Sequence, residues 1–204
     1  MNYNVIKSES VYEETEKRSK FISYSFKVKT ATEAAQKLQR IKLLHHAAKH
    51  HVYGYILEEN EKFSDDGEPC GTGGAPIITA IKSFNLKNVM VIVVRYFGGV
   101  LLGTGGLRRM YSSGAMNVLE KSGVLKMEKC SEGILNCNYN QIGMVSNAIV
   151  NFGGKILETN YSGEVSIKFY VKNEFFNALK VKLENILRSS DKVNFICESY
   201  REIE

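Results

Sequence analysis

Asn88-Val-Met-Val-Ile-Val-Val-Arg-Tyr96 is continuously apolar and largely β-branched from Val89 to Val94, the composition of a central strand covered on both faces. It runs into Phe97-Gly98-Gly99. After Val100-Leu101-Leu102, the tetrapeptide Gly103-Thr104-Gly105-Gly106 opens a stretch where Leu107, Met110, Ala115 and Val118 fit a helix ending at Gly123. Upstream, residues 20–28 alternate Ile22, Tyr24, Phe26 and Val28 with polar neighbours, which predicts a half-buried strand. Thr30 with Glu33 forms a capping box for a helix whose face carries Ala34, Leu38, Ile41 and Leu44. A further strand spans residues 52–57 and turns at Glu58-Glu59-Asn60.

Beyond Cys130 the pattern changes. Strand (132–138), helix (141–152), strand (155–161), strand (165–171), helix (174–188) and strand (193–198) follow in turn, punctuated by Gly153-Gly154, a Ser162-Gly163 hairpin and the cap Asn173. That β-α-β-β-α-β order is ferredoxin-like. The expected fold class is therefore α+β, with an α/β domain over residues 1–125 and a ferredoxin-like domain over residues 126–204.

A chain of 204 residues with 44% apolar and 24% charged content has the composition of a folded, globular protein. Its first residues lack the apolar core of a signal peptide, and its longest apolar run falls short of a membrane helix, so the expectation is a cytoplasmic protein with no membrane partner. Cys70, Cys130, Cys137 and Cys197 form no C-x-x-C pair and read as reduced thiols. The net charge of +5 lies wholly in residues 1–125, where 17 Lys/Arg face 12 Asp/Glu; residues 126–204 carry 10 of each. Such an excess favours an anionic partner for the first domain.

Two stretches crowd glycine, charge and aromatic residues together: Phe63-Ser-Asp-Asp-Gly-Glu-Pro-Cys-Gly-Thr-Gly-Gly-Ala-Pro76, and the segment from Arg95 to Tyr111. In each, a Gly-Thr-Gly-Gly tetrapeptide opens a helix, which presents backbone N–H groups to a phosphate or carboxylate. The competing reading is turn geometry and close packing. Neither loop is a Walker A or dinucleotide sequence. Asp65, Asp66 and Glu68 are candidates for a cation or a general base; alternatively Asp65 or Asp66 caps a turn and pairs with Arg95, Arg108 or Arg109. Those three arginines are also candidates to frame one anion, although cations in a first helical turn oppose the helix dipole. The histidines His45, His46, His50 and His51 straddle a helix-to-strand transition and do not make a metal site. His50 is instead placed to orient the loops.

These residues resemble the YigZ/IMPACT family. The similarity lies in Ser64-Asp65-Asp66-Gly67-Glu68-Pro69, Gly71-Thr72-x-Gly74-x-Pro76, Arg95-Tyr96-Phe97-Gly98-Gly99, Leu102-Gly103-x-Gly105-Gly106-Leu107, Ala48-x-His50, and Arg109 with Tyr111. Gly73, His51 and Met110 depart from the usual residues without disturbing the pattern. The resemblance implies a first domain with the fold of ribosomal protein S5 domain 2 and a second like the C-terminal domains of translocating elongation factors. It implies too a link to translation, because eukaryotic members are regulators that restrain the amino-acid-starvation kinase by competing for its activator protein.

The chain thus reads as a regulatory binding protein rather than an enzyme, with no catalytic residue, metal or cofactor assigned. Its expected partner is RNA, a ribosome-associated protein or a small anionic ligand. The expected contact set is His50, Asp65, Asp66, Glu68, Gly71, Thr72, Gly74, Arg95, Tyr96, Gly98, Gly99, Gly103, Gly105, Gly106, Arg108, Arg109 and Tyr111. Tyr96, Phe97 or Tyr111 would stack on a base, with Lys49 adding charge. The alternatives are an enzyme acting on a small anionic ligand and a protein adaptor docking through the second domain.

Overall fold

The computed structural model describes residues 2–189 and 191–202 and divides into two units, Tyr3–Lys126 and a second that takes up the chain from Met127. The first contains β1 (Tyr3–Ile6), β2 (Ser10–Glu16), β3 (Ser19–Lys27), α1 (Ala31–Leu44), β4 (His50–Ile56), β5 (Glu61–Ser64), α2 (Gly74–Ser83), β6 (Val89–Tyr96) and α3 (Gly103–Ser122). Five strands form one sheet in the order β2-β3-β6-β4-β5, each pair antiparallel.

The central place of β6 follows from its composition. Val89, Val91 and Val93 enter a core with residues of α2 and α3, while Met90, Ile92 and Val94 enter a second core with Ala34 and Ile41 of α1. The sheet is thus covered on both faces, as parallel sheets usually are, although its strands run antiparallel. Thr30 caps α1 by accepting from Glu33 N at 3.1 Å. The reciprocal arm of the capping box reaches one residue further back, with Lys29 N donating to Glu33 Oε2 at 2.7 Å. Leu44 is 63% exposed, so the apolar stripe of α1 ends at Ile41.

On β3 the serines do not face water, although Lys27 does. Ser19, Ser23 and Ser25 are buried alongside Phe21 on the α2/α3 side of the sheet, because small residues let α3 approach. Gly114 of α3 lies so near that a Cβ there would stand 2.5 Å from Ser23 Oγ. Ser25 Oγ meets Ser122 Oγ at 2.7 Å. Ser23 Oγ, by contrast, makes no hydrogen bond among the described residues.

The second unit follows β7 (Val124–Cys137), a 3-10 turn (Tyr139–Gln141), α4 (Ile142–Asn151), β8 (Lys155–Tyr161), β9 (Val165–Lys172), α5 (Asn173–Leu187) and β10 (Val193–Glu202). Its strands run β8-β9-β7-β10, all antiparallel. This is the ferredoxin-like β-α-β-β-α-β arrangement, and with the first unit it makes the chain an α+β protein. Val165, Ile167, Phe169 and Val171 alternate into a core with Phe176, Leu179 and Leu183 of α5.

The Gly114–Ser23 contact gives a stability test. Gly114→Ala overpacks the β3–α3 seam and should cost about 1–3 kcal/mol in denaturant unfolding. Ser23→Ala loses no hydrogen bond and should be near neutral. With Ser23 Oγ gone, the atoms nearest the added methyl are Glu14 Oε1 at 3.3 Å, the far end of a flexible side chain, and Ser23 Cβ at 3.7 Å, so Gly114→Ala/Ser23→Ala should recover most of the loss. A double variant as unstable as Gly114→Ala would contradict this account of the seam.

Candidate functional site

The sequence motifs meet where β4 begins and β6 ends. His50 and Arg95 are direct cross-strand partners, and the loop after β5 carries Asp65, Asp66 and Glu68 across them. Glu68 is buried, and its Oε1 accepts from Arg95 Nη1 at 2.7 Å and from the Tyr111 hydroxyl at 2.8 Å. His50 Nε2 lies 3.8 Å from the same oxygen. The other ring nitrogen of His50, Nδ1, donates to the Asp66 carbonyl at 2.8 Å, which fixes the ring's orientation. Tyr111 is fully buried, with its ring edge against Phe21. Burial, reinforced by the Glu68 charge, pushes its phenol far above the ordinary value, so it stays a donor.

Arg95 is held from several sides. Ser19 Oγ lies 3.5 Å from its Nη2, and the guanidinium carbon sits 5.5 Å from the ring centres of both Phe21 and Phe97. Ser19 Oγ also accepts from Gly98 N at 3.2 Å. Ser19 was not legible as a site residue, since only the β3–β6 register brings it here.

The three carboxylates do not share one space. Asp65 accepts from the amides of Gly71, Gly73 and Gly74 at 2.8–2.9 Å, capping the start of α2 from outside the helix. Burial works against its ionised form, but the three amides outweigh that and hold the carboxyl below its usual range. Asp66 accepts from His51 N at 2.7 Å and from Lys42 Nζ at 3.2 Å. Among the described residues no group of three His, Cys, Asp or Glu is placed to hold a metal ion. The turn-capping reading therefore describes Asp65, and the acid that pairs with Arg95 is Glu68.

The two Gly-Thr-Gly-Gly tetrapeptides differ. The first runs into α2, with Gly73 as N-cap and Gly74 as its first residue, and packing explains these last two glycines: a Cβ at Gly73 would meet Val52 at 2.6 Å, and one at Gly74 would meet Phe63 at 2.6 Å. Thr72 is buried and donates to the Pro69 carbonyl at 2.6 Å. The second tetrapeptide is itself the first turn of α3. It has no side-chain cap and no acidic residue in that turn. Gly103 takes φ +71°, whereas a Cβ at Gly105 would meet nothing within 4 Å.

The arginines separate as well. Arg95 is 4% exposed, while Arg108 and Arg109 face outward, Arg109 pairing with Glu16 at 3.2 Å. Of the aromatics, Tyr111 is buried and the Tyr96 hydroxyl lies 2.8 Å from His45 Nδ1. His45, which the sequence reading set aside, has the Tyr24 hydroxyl 2.6 Å from its Nε2. Burial, with the charges of His51 and Lys20, keeps its imidazole below the usual value.

Comparison with known proteins matches residues 17–119 to the Impact N-terminal domain and residues 135–190 to a domain of unknown function (DUF1949). The chain is 33% identical over 180 residues to the IMPACT family member YvyE of Bacillus subtilis, covering 87% of this chain and 83% of that one. It is 29% identical over 92 residues to the Protein IMPACT of Homo sapiens, covering 43% of this chain and 29% of that one. A solved structure described as a hypothetical protein superposes with a TM-score of 0.64 at 25% identity, covering 96% of this chain and 97% of the other.

Two stability predictions follow from the site's geometry. Glu68→Leu and Arg95→Met should each cost about 3–5 kcal/mol, because each strands a buried charge, and the double variant should recover a large part; additive losses in a double-mutant cycle would contradict the pairing. Asp65→Ala should cost about 1–2 kcal/mol at neutral pH. A depressed folded value stabilises above the unfolded carboxyl's 3.8 and is lost as pH falls through the lower folded value. The gap in unfolding free energy between wild type and Asp65→Ala should therefore narrow below that pH, and a gap that widens would refute the assignment.

Proposed function

Because the chain belongs to the IMPACT family, we propose that it is a cytoplasmic, translation-linked binding protein whose first unit contacts an anionic partner at the start of α3. The contrast between the two Gly-Thr-Gly-Gly segments carries this reading. Before α2, the amides of Gly71, Gly73 and Gly74 are taken by the chain's own Asp65. At α3, a helix of 20 residues starts with no side-chain cap. Its exposed first turn holds a glycine, Gly105, that neither positive φ nor crowding requires. Glycine in a helix costs about 1 kcal/mol relative to alanine, and at an exposed helix start it lets an external anion approach the backbone.

Arg108 and Arg109 add exposed positive charge to the same helix. The other family positions, His50, Asp65, Asp66, Glu68, Arg95 and Tyr111, build the scaffold beneath. An enzyme of the kind considered from sequence would need its acids to face one substrate, whereas these three engage separate internal partners. The translational setting is supported by the family's eukaryotic regulators.

Capture of ribosomes and of cellular RNA by the purified protein across a salt series tests the reading, with Arg108→Glu/Arg109→Glu alongside. Binding should fall steeply with salt and drop about tenfold or more in the variant, whose melting temperature should stay near wild type because both arginines are exposed. No capture by either form at low salt would overturn it.

A further inference from the structure

The loop between β6 and α3 is an exposed apolar prominence. Phe97 is 43% exposed, Val100 40% and Leu101 82%. Such residues scattered singly need no explanation, but here they crowd one short loop, and clustered apolar exposure marks an interaction site. The loop is also held in place. A Cβ on Gly98 would stand 2.0 Å from the carbonyl carbon of Arg18, so the loop packs backbone to backbone on the β2–β3 turn, and Gly98 N donates to Ser19 Oγ beneath it.

Positive charge flanks the prominence. The turn it packs on is Lys17-Arg18, both exposed and both at positive φ, +45° and +67°. Lys49, also exposed, has its Nζ 5.6 Å from the Phe97 ring centre. Among the described residues none of these three cations is paired with an acid, and Glu16, the acid next to Lys17, is engaged by Arg109.

We propose that this surface docks a protein partner that presents an apolar depression bordered by Asp and Glu side chains. The inference rests on the reading of the adjoining α3 start as a contact region and gives the partner's class. An aliphatic tip rimmed by unpaired cations matches such a depression in both shape and charge. RNA matches it less well. Stacking needs a free aromatic face, yet Tyr111 is buried, Tyr96 is tied to His45, and the Phe97 ring already has Arg95 and Lys49 against it.

The test places the photocrosslinker p-benzoylphenylalanine at Leu101 of the full chain in living cells, with the same group at Val181, 58% exposed on α5, as control. The expected result is a discrete, nuclease-resistant protein adduct from Leu101 and not from Val181. Its mapped attachment site should lie in an Asp/Glu-bordered apolar surface. Its yield should fall about tenfold with Lys17→Glu/Arg18→Glu/Lys49→Glu. A nuclease-sensitive adduct, equal adducts from both positions, indifference to charge reversal or no adduct would each overturn the proposal. An adduct meeting every expectation, but to a protein that never sediments with ribosomes or translation factors, supports this surface and refutes the translational setting instead.

Discussion

A single carboxylate oxygen joins four parts of the first unit. Glu68 Oε1 accepts from Arg95 at the end of β6 and from Tyr111 inside α3, and it faces His50 at the start of β4, while Glu68 itself belongs to the loop after β5. Burying a carboxylate is costly unless it is paired and hydrogen-bonded. Any slip of β4 against β6, or of α3 along the sheet, would strand that charge. The pairing is incomplete on one side, because Arg95 Nε is buried without a hydrogen bond among the described residues. The Phe21 and Phe97 rings beside the guanidinium offset part of that cost through cation–π contact. Net stability is therefore a poor measure of this network; its larger effect is to fix register, since few other arrangements satisfy the same oxygen.

From that fixed point the surface loops inherit their positions. The turn of Asp66 toward His51 and of Asp65 toward the α2 amides starts two or three residues before Glu68, and the Glu68 N–H closes the turn on the Asp65 carbonyl at 2.9 Å. On the other side, Arg95 is followed within three residues by Gly98, which is pinned by Ser19 and Arg18. The exposed apolar loop and the open first turn of α3 thus project from a rigid base. Loops that bind are generally useful when their scaffold holds them at little entropic cost.

Much of the architecture was legible because periodicity reports burial directly. The apolar run in β6 named a strand covered on both faces, and Thr30, Gly123 and the Ser162-Gly163 pair marked real boundaries. What escaped was whatever depends on a distant partner. The serines of β3 looked solvent-facing because serine is polar, yet they are buried by a helix whose Gly114 lies about ninety residues away. β1, β2 and β5 were missed for a similar reason: β2 and β5 are edge strands of the sheet, only partly buried, and β1 is four residues long.

The candidate site shows the same division in sharper form. The sequence singled out residues that the fold gathers around β4, β6 and α3, but one-dimensional proximity suggested that Asp65, Asp66 and Glu68 act together and that Arg95 belongs with Arg108 and Arg109. Folding separates them: neighbouring side chains in a tight turn point in different directions, and each acid finds its own donor. It also distinguishes two identical tetrapeptides by one local circumstance, whether a carboxylate from the same chain reaches their amides. Where Asp65 does, the segment is sealed into the scaffold. Where none does, the segment stays exposed beside cations and an apolar tip, and the same four letters change from a structural seam into an uncapped helix start at the surface.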